Sequence, residues 1–222
     1  MLPFEGVSHL YFIKITMRKH TKESLDQLTP KQAYQILVEG NQRFVSNLNK
    51  DHDHLETVNE TRDGQYPFAV ILSCMDSRTS VELIFDQGLG DLFSIRVAGN
   101  IVNDDILGSI EYAVKYVGSK LLVVLGHTSC GAVNSAVKGV QDGHITGLLS
   151  RIQPSISRAK LRTDQECKHG DKVVYANVEN SLQEVISRSS IVNDMFSSGQ
   201  IGLVGAVYNV ENGSVDFFKD LT

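Results

Sequence analysis

Leu121-Leu122-Val123-Val124-Leu125, followed at once by Gly126-His127-Thr128-Ser129-Cys130, decides the fold. Five apolar residues without polar alternation read as a strand buried on both faces. Ala132 to Val140 then continues as a helix. The same unit recurs upstream. Phe68-Ala69-Val70-Ile71-Leu72 is a second continuous apolar run, and a helical stretch from Ser80 to Asp86 follows it. Leu92 to Val97 is a third strand, closed by Gly99-Asn100. Ile106 to Val117 places Ile106, Ile110, Ala113, Val114 and Val117 on one helical face. Strands that alternate with helices and are apolar on both faces predict an α/β fold. Its core is a central, mainly parallel β-sheet flanked by helices.

Outward from this core the pattern changes. Thr29-Pro30 is a helix start, with Thr29 as N-cap and Pro30 in the first turn. Ala33, Leu37, Phe44, Val45 and Leu48 recur at helical spacing, with Gly40 weakening the interior enough to allow a break. Residues 49–64 are polar and read as a solvated loop, in which Asp51, His52, Asp53 and His54 stand adjacent as an alternative metal catch. Residues 1–24 read as a flexible N-terminal arm leading into the helical segment, or as an element packed on a partner subunit. Residues 25–222 read as a single domain. Residues 141–172 are punctuated by Gly143, Gly147, Pro154 and Gly170 and read as irregular. Val173 to Phe196 reads as one long helix, with Gly199 as its C-cap. Ile201 to Tyr208 is a further strand. Glu211-Asn212-Gly213-Ser214 turns it into a C-terminal antiparallel hairpin with Val215 to Phe218.

Composition excludes several classes. The 222 residues are 41% hydrophobic, enough for one good core. Twenty-one basic against 26 acidic residues give a net charge of −5, with no basic block, so nucleic acid is not an expected partner. No apolar run approaches a membrane span. Three cysteines are too few and too odd for a secreted disulfide framework, and they fit a reducing, cytoplasmic setting.

Chemistry concentrates after two of the strands. Cys74 follows the Phe68–Leu72 run; His127 and Cys130 follow Leu121–Leu125. Parallel sheets gather ligands at the carboxyl ends of their strands. Two thiolates and an imidazole there suit Zn²⁺ better than a hard cation. Taken alone, each cysteine is more often a core residue than a ligand, and His127 reads equally as a satisfied core histidine. Their joint placement favours the metal. Asp76 then has two options: it is the fourth ligand, or it pairs with Arg78 and leaves that position to water. Cys167 has no partner at ligand spacing.

The Cys74-Met75-Asp76-Ser77-Arg78 segment, followed about fifty residues later by Gly126-His127-Thr128-Ser129-Cys130-Gly131, resembles the β-class carbonic anhydrases. Val97-Ala98-Gly99-Asn100, Ser109 to Val114 and Gly40-Asn41-Gln42-Arg43-Phe44 are similar to stretches of that family, the last to its bacterial members. The resemblance implies zinc on Cys74, His127 and Cys130, and a catalytic pair at Asp76 and Arg78. It implies a substrate pocket of Gln65, Phe93 and Tyr112, with Gly131 as a backbone position beside it. Met75 stands where a smaller polar residue is common. Allosteric members carry a Trp three residues before the first cysteine; Ile71 stands there, which implies the non-allosteric, open-site type.

The implied reaction is reversible hydration of CO₂ to bicarbonate and a proton by zinc-bound hydroxide. The implied assembly is a homodimer or a dimer of dimers whose pocket draws on two subunits. His144 and His169 are candidates for proton transfer. Two alternatives keep the same ligands: a zinc hydrolase of carbon disulfide or carbonyl sulfide, and a non-catalytic bicarbonate-binding module.

Overall fold

Strands β1 (Ala69–Ser73), β2 (Leu92–Arg96), β3 (Leu121–His127), β4 (Gly202–Tyr208) and β5 (Val215–Leu221) form one sheet in the order β2-β1-β3-β4-β5. The structure is a computed structural model that describes residues 21–160 and 171–221. β1 pairs parallel with β2 and β3, and β3 pairs parallel with β4. β5 returns antiparallel on β4, with a register shift at Gly205/Ala206.

The three inner strands β1, β3 and β4 are buried at every position. Helices cover both of their faces, so neither face needs polar residues. The edge strand β2 alternates in burial instead.

The helices are α1 (Lys22–Gln27), α2 (Pro30–Val45), α3 (His54–Thr61), α4 (Val81–Ile84), α5 (Asp104–Glu111), α6 (Gly131–Val137), α7 (Gly143–Ser150), α8 (Gln153–Ala159), α9 (Lys172–Arg188) and α10 (Ser190–Ser197). Side chains alternate across the sheet. Val70, Leu72, Leu122, Val124, Leu203 and Val207 meet Ile106, Ile110, Val133, Ile152, Val174 and Val178 on one face. Ala69, Ile71, Leu121, Val123, Leu125 and Val204 meet Leu25, Ala33, Leu37 and Ile84 on the other. Each fully buried aliphatic side chain contributes about 1.5–3 kcal/mol, so this two-sided core dominates stability. Gly126 lets α9 close onto β3 beside His127. A Cβ there would lie 2.7 Å from Val178 Cγ2 and 2.9 Å from Val174 Cγ1.

Several sequence expectations are corrected. α2 runs unbroken through Gly40. That glycine answers a close approach, since a Cβ would sit 1.8 Å from the Phe85 carbonyl oxygen. The 49–64 loop contains α3, which Asp53 caps by accepting the Glu56 N–H at 2.9 Å. Helix α1 begins at Lys22, inside the expected arm, with Thr21 as its cap and Leu25 buried; residues 1–20 lie outside the described residues. The irregular segment holds α7 and α8. The long helix is two. Ser189 takes an extended conformation and caps α10 by accepting the Val192 N–H at 3.1 Å. The helix from residue 106 ends in a π-helical turn, Tyr112–Val117, stopped by Gly118 in the left-handed region.

Asp51, His52, Asp53 and His54 do not form a metal cluster. His52 Nε2 lies 3.2 Å from Asp86 Oδ1, Asp53 caps α3, and the His54 ring stacks 6.2 Å from that of His52. Asp86, whose side chain is 1% exposed, also accepts from Arg43 Nε on α2 and from the Lys50 N–H at 3.0 Å. Burial pushes the Asp86 carboxyl up. Arg43, the Lys50 amide and His52 outweigh that, and it lies below its ordinary value.

Arg43→Met leaves a buried carboxylate short of its ion-pair partner and should cost about 3 kcal/mol at neutral pH. A carboxyl depressed in the folded state stabilises fully above its unfolded pKa, near 4, and loses that contribution as pH falls through the folded value. The variant's deficit should therefore shrink in acid. Urea unfolding of both proteins from pH 7 downward measures it; a deficit constant with pH would contradict this account of the pair.

Candidate active site

β1 and β3 lie side by side, with Ser73 level with Leu125. Cys74 therefore leaves β1 one residue short of His127, which is the last residue of β3 rather than the first beyond it. Ser129 then takes a left-handed conformation (φ 57°) and turns the chain so that Cys130 becomes the N-cap of α6. All three side chains are buried. One ligand atom from each lies within 4.8 Å of the other two. Ligands of a tetrahedral zinc, at about 2.0–2.3 Å from the ion, stand roughly 3.3–3.8 Å from one another. The spacing fits.

The hydrogen bonds fit as well. His127 Nδ1 is 2.9 Å from the Thr128 carbonyl oxygen. A carbonyl only accepts, so Nδ1 carries the proton and the lone pair of the neutral ring is on Nε2. Nε2 is buried and has no hydrogen-bond partner. An orphaned imidazole acceptor beside two thiols is a metal ligand in waiting.

The Gly99 N–H donates to Cys74 Sγ at 3.3 Å. The Cys74 thiol is lowered, first by a hydrogen bond from Cys130, with backbone N–H groups adding to it against burial. Cys130 is pushed up, because it holds the shared proton toward Cys74 and is itself buried. A divalent cation would displace that proton and satisfy both sulfurs. Two sulfurs and one imidazole nitrogen are a zinc set.

Asp76 stands beside His127. Its Oδ1 accepts from the Arg78 N–H at 3.0 Å and from Arg78 Nε at 2.9 Å; its Oδ2 accepts from Arg78 Nη2 at 2.8 Å. The Arg78 guanidinium holds the Asp76 carboxyl well below the usual carboxylate range. Oδ2 is also 3.8 Å from the free His127 Nε2. A carboxylate has about four lone-pair sites. Arg78 takes three, and the one left is on Oδ2, the oxygen nearest the metal position.

Other residues hold this arrangement and were not expected from sequence. Thr79 and Arg96 bind the carbonyls of the Cys74–Asp76 segment. Asp171 caps α9, accepting the Val174 N–H at 3.3 Å, and also accepts the Ser129 N–H of the second ligand loop. Burial raises its carboxyl. The strand pairing sets Tyr208 beside His127. Hydrogen bonds from side chain to backbone leave no spacing pattern in a sequence. Only the position of Tyr208 at a strand's carboxyl end was a usable signal.

The expected pocket residues are divided. Phe93, on β2, and Tyr112, at the head of the π-helical turn, line one cavity of about 520 Å³ with Asp104, Asp105, Gly108 and Ser109. Tyr112 is 57% exposed. Gln65 is exposed ahead of β1 and does not line that cavity, and neither do the three metal-site residues. Gly131 opens α6 directly after Cys130, with nothing within 4 Å of where its Cβ would be. His144 is exposed in the first turn of α7. Cys167 and His169 lie outside the described residues. No helix among the described residues is long and apolar enough to cross a membrane.

Comparison with known proteins agrees with this chemistry. The carbonic anhydrase family matches residues 69–215. Carbonic anhydrase 2 of Mycobacterium tuberculosis is 37% identical over 83% of this chain and 90% of its own length. The structure of the β-carbonic anhydrase CcaA superposes with a TM-score of 0.64 at 26% identity, covering 82% of this chain and 86% of that one. The Coccomyxa β-carbonic anhydrase, solved with acetazolamide, gives a TM-score of 0.65 at 26% identity over 83% and 86% of the two chains.

Proposed function

The chain belongs to the β-class carbonic anhydrases, and on that premise we propose how its own residues divide the work of hydrating CO₂ to bicarbonate and a proton. Cys74, His127 and Cys130 would hold zinc, which would supply Lewis acidity and lower the pKa of a water bound beside Asp76 toward neutrality. Asp76, kept ionised by Arg78, offers the remaining lone pair of Oδ2 toward that water. It accepts a hydrogen bond there and orients the nucleophile. Arg78 keeps the carboxylate off the metal. Phe93 supplies an apolar wall, Gln65 an amide donor to a substrate oxygen, Tyr112 a hydroxyl at the pocket edge, and Gly131 a backbone position beside the site.

Phe93 and Tyr112 line a cavity that the metal ligands and Gln65 do not, which supports a pocket completed by a second copy, with Gln65 and Tyr112 contributed across the interface. A homodimer or a dimer of dimers supplies it, with residues 25–222 acting as one catalytic domain. Ile71, wholly buried in the sheet core, supports the non-allosteric, open-site type. Free, buried Cys74 and Cys130 thiols suit the reducing cytoplasm.

One observation carries the open-site reading. Arg78 occupies both oxygens of Asp76 while His127 Nε2 has no partner. A crystal structure of the zinc-loaded protein at alkaline pH tests it. Asp76 should remain on Arg78; an Asp76 carboxylate bonded to zinc would refute the reading.

A further inference from the structure

The distance that separates an open from a closed site is small. A carboxylate oxygen and an imidazole nitrogen on one tetrahedral zinc stand about 3.3 Å apart. Asp76 Oδ2 already lies 3.8 Å from His127 Nε2. A movement of about half an ångström would put Asp76 within reach of the metal. Arg78 restrains the side chain alone. The backbone that carries Asp76 is restrained separately.

The Thr79 hydroxyl lies 2.9 Å from the Cys74 carbonyl oxygen and 2.8 Å from that of Asp76. It has one hydrogen for two acceptors. Arg96 makes up the difference, donating from Nη2 to the Asp76 carbonyl at 2.6 Å and from Nε to the Cys74 carbonyl at 3.4 Å. The Thr79 N–H adds a third donor to the Asp76 carbonyl at 3.0 Å. Thr79 is buried. Arg96 is held in register with Ser73 by the β1–β2 ladder, and the Val97 N–H donates to the Ser73 carbonyl at 3.1 Å. Both groups thus grip the segment from anchored positions.

We infer that Thr79 and Arg96 are positioning residues that clamp the Cys74–Asp76 backbone, so that Asp76 stays on Arg78 and the fourth metal position stays open. The inference rests on the open-site reading and adds to it the residues that keep the site open. Binding of azide to the cobalt(II)-substituted protein, followed by visible absorption, reads the fourth position without recourse to activity. Thr79→Val and Arg96→Met should each weaken azide binding about tenfold, the scale of loss on removing a group that orients a metal site. Thr79→Ser, which keeps the hydroxyl, should restore it. Arg96 is exposed on an edge strand, so Arg96→Met decides the matter if Thr79→Val fails to fold. Wild-type protein that takes up no azide would overturn the open-site reading. Wild-type binding matched by the folded variants would overturn the clamp alone.

Discussion

Replacing Cys130 with alanine should weaken zinc binding by more than about a hundredfold, because residues that merely orient ligands already change affinity about 10–100-fold. Cys130 is one of the three donors brought together among the described residues, and its sulfur sits directly against that of Cys74. Without it, Cys74 and His127 remain, and two donors do not define a tetrahedral zinc site. The substitution shortens a small buried side chain at the cap of α6. The fold should survive, and circular dichroism verifies that. Metal analysis after dialysis against a chelator reads the loss. Stoichiometric zinc in the folded variant would remove Cys130 from the site.

The second large effect is expected at Asp76, and it falls on turnover rather than on metal content. Asp76→Asn keeps the shape and loses one acceptor oxygen. Arg78 donates to both oxygens of Asp76, so the amide must either turn its NH₂ toward a guanidinium or present a donor where Oδ2 offered a lone pair. Either arrangement removes the acceptor from the fourth metal position. Losing one preorganised group of this kind costs about 10²–10³-fold in kcat. Because the interaction is needed as the nucleophile attacks, KM should change far less. A variant with full zinc and a wild-type kcat would show that Asp76 serves only as a structural partner of Arg78.

The parts of this molecule legible in its sequence were those that rest on burial and ligand chemistry. Leu121–Leu125 and Phe68–Leu72 had to be strands covered on both faces. Cys74, His127 and Cys130 had to meet if those strands were neighbours, and they are. What was missed lacked an apolar pattern. α3 has no buried residue, and its only sequence sign was Asp53 three residues before Glu56 at the helix start. The break at Ser189 lies between two apolar faces of similar period and is set by one capping hydroxyl. Gly40 looked like a helix breaker, but it is there because the Phe85 carbonyl comes close. Thr79, Arg96 and Asp171 act on backbone groups, and only coordinates reveal which backbone they meet.

Stopped-flow measurement of CO₂ hydration by the zinc-loaded wild-type protein across pH 7–9 tests the central claim most directly. Three buried donors and an Asp76 held ionised by Arg78 predict turnover well above the uncatalysed rate throughout that range. A folded protein with one zinc per chain and no hydration above background would contradict the account.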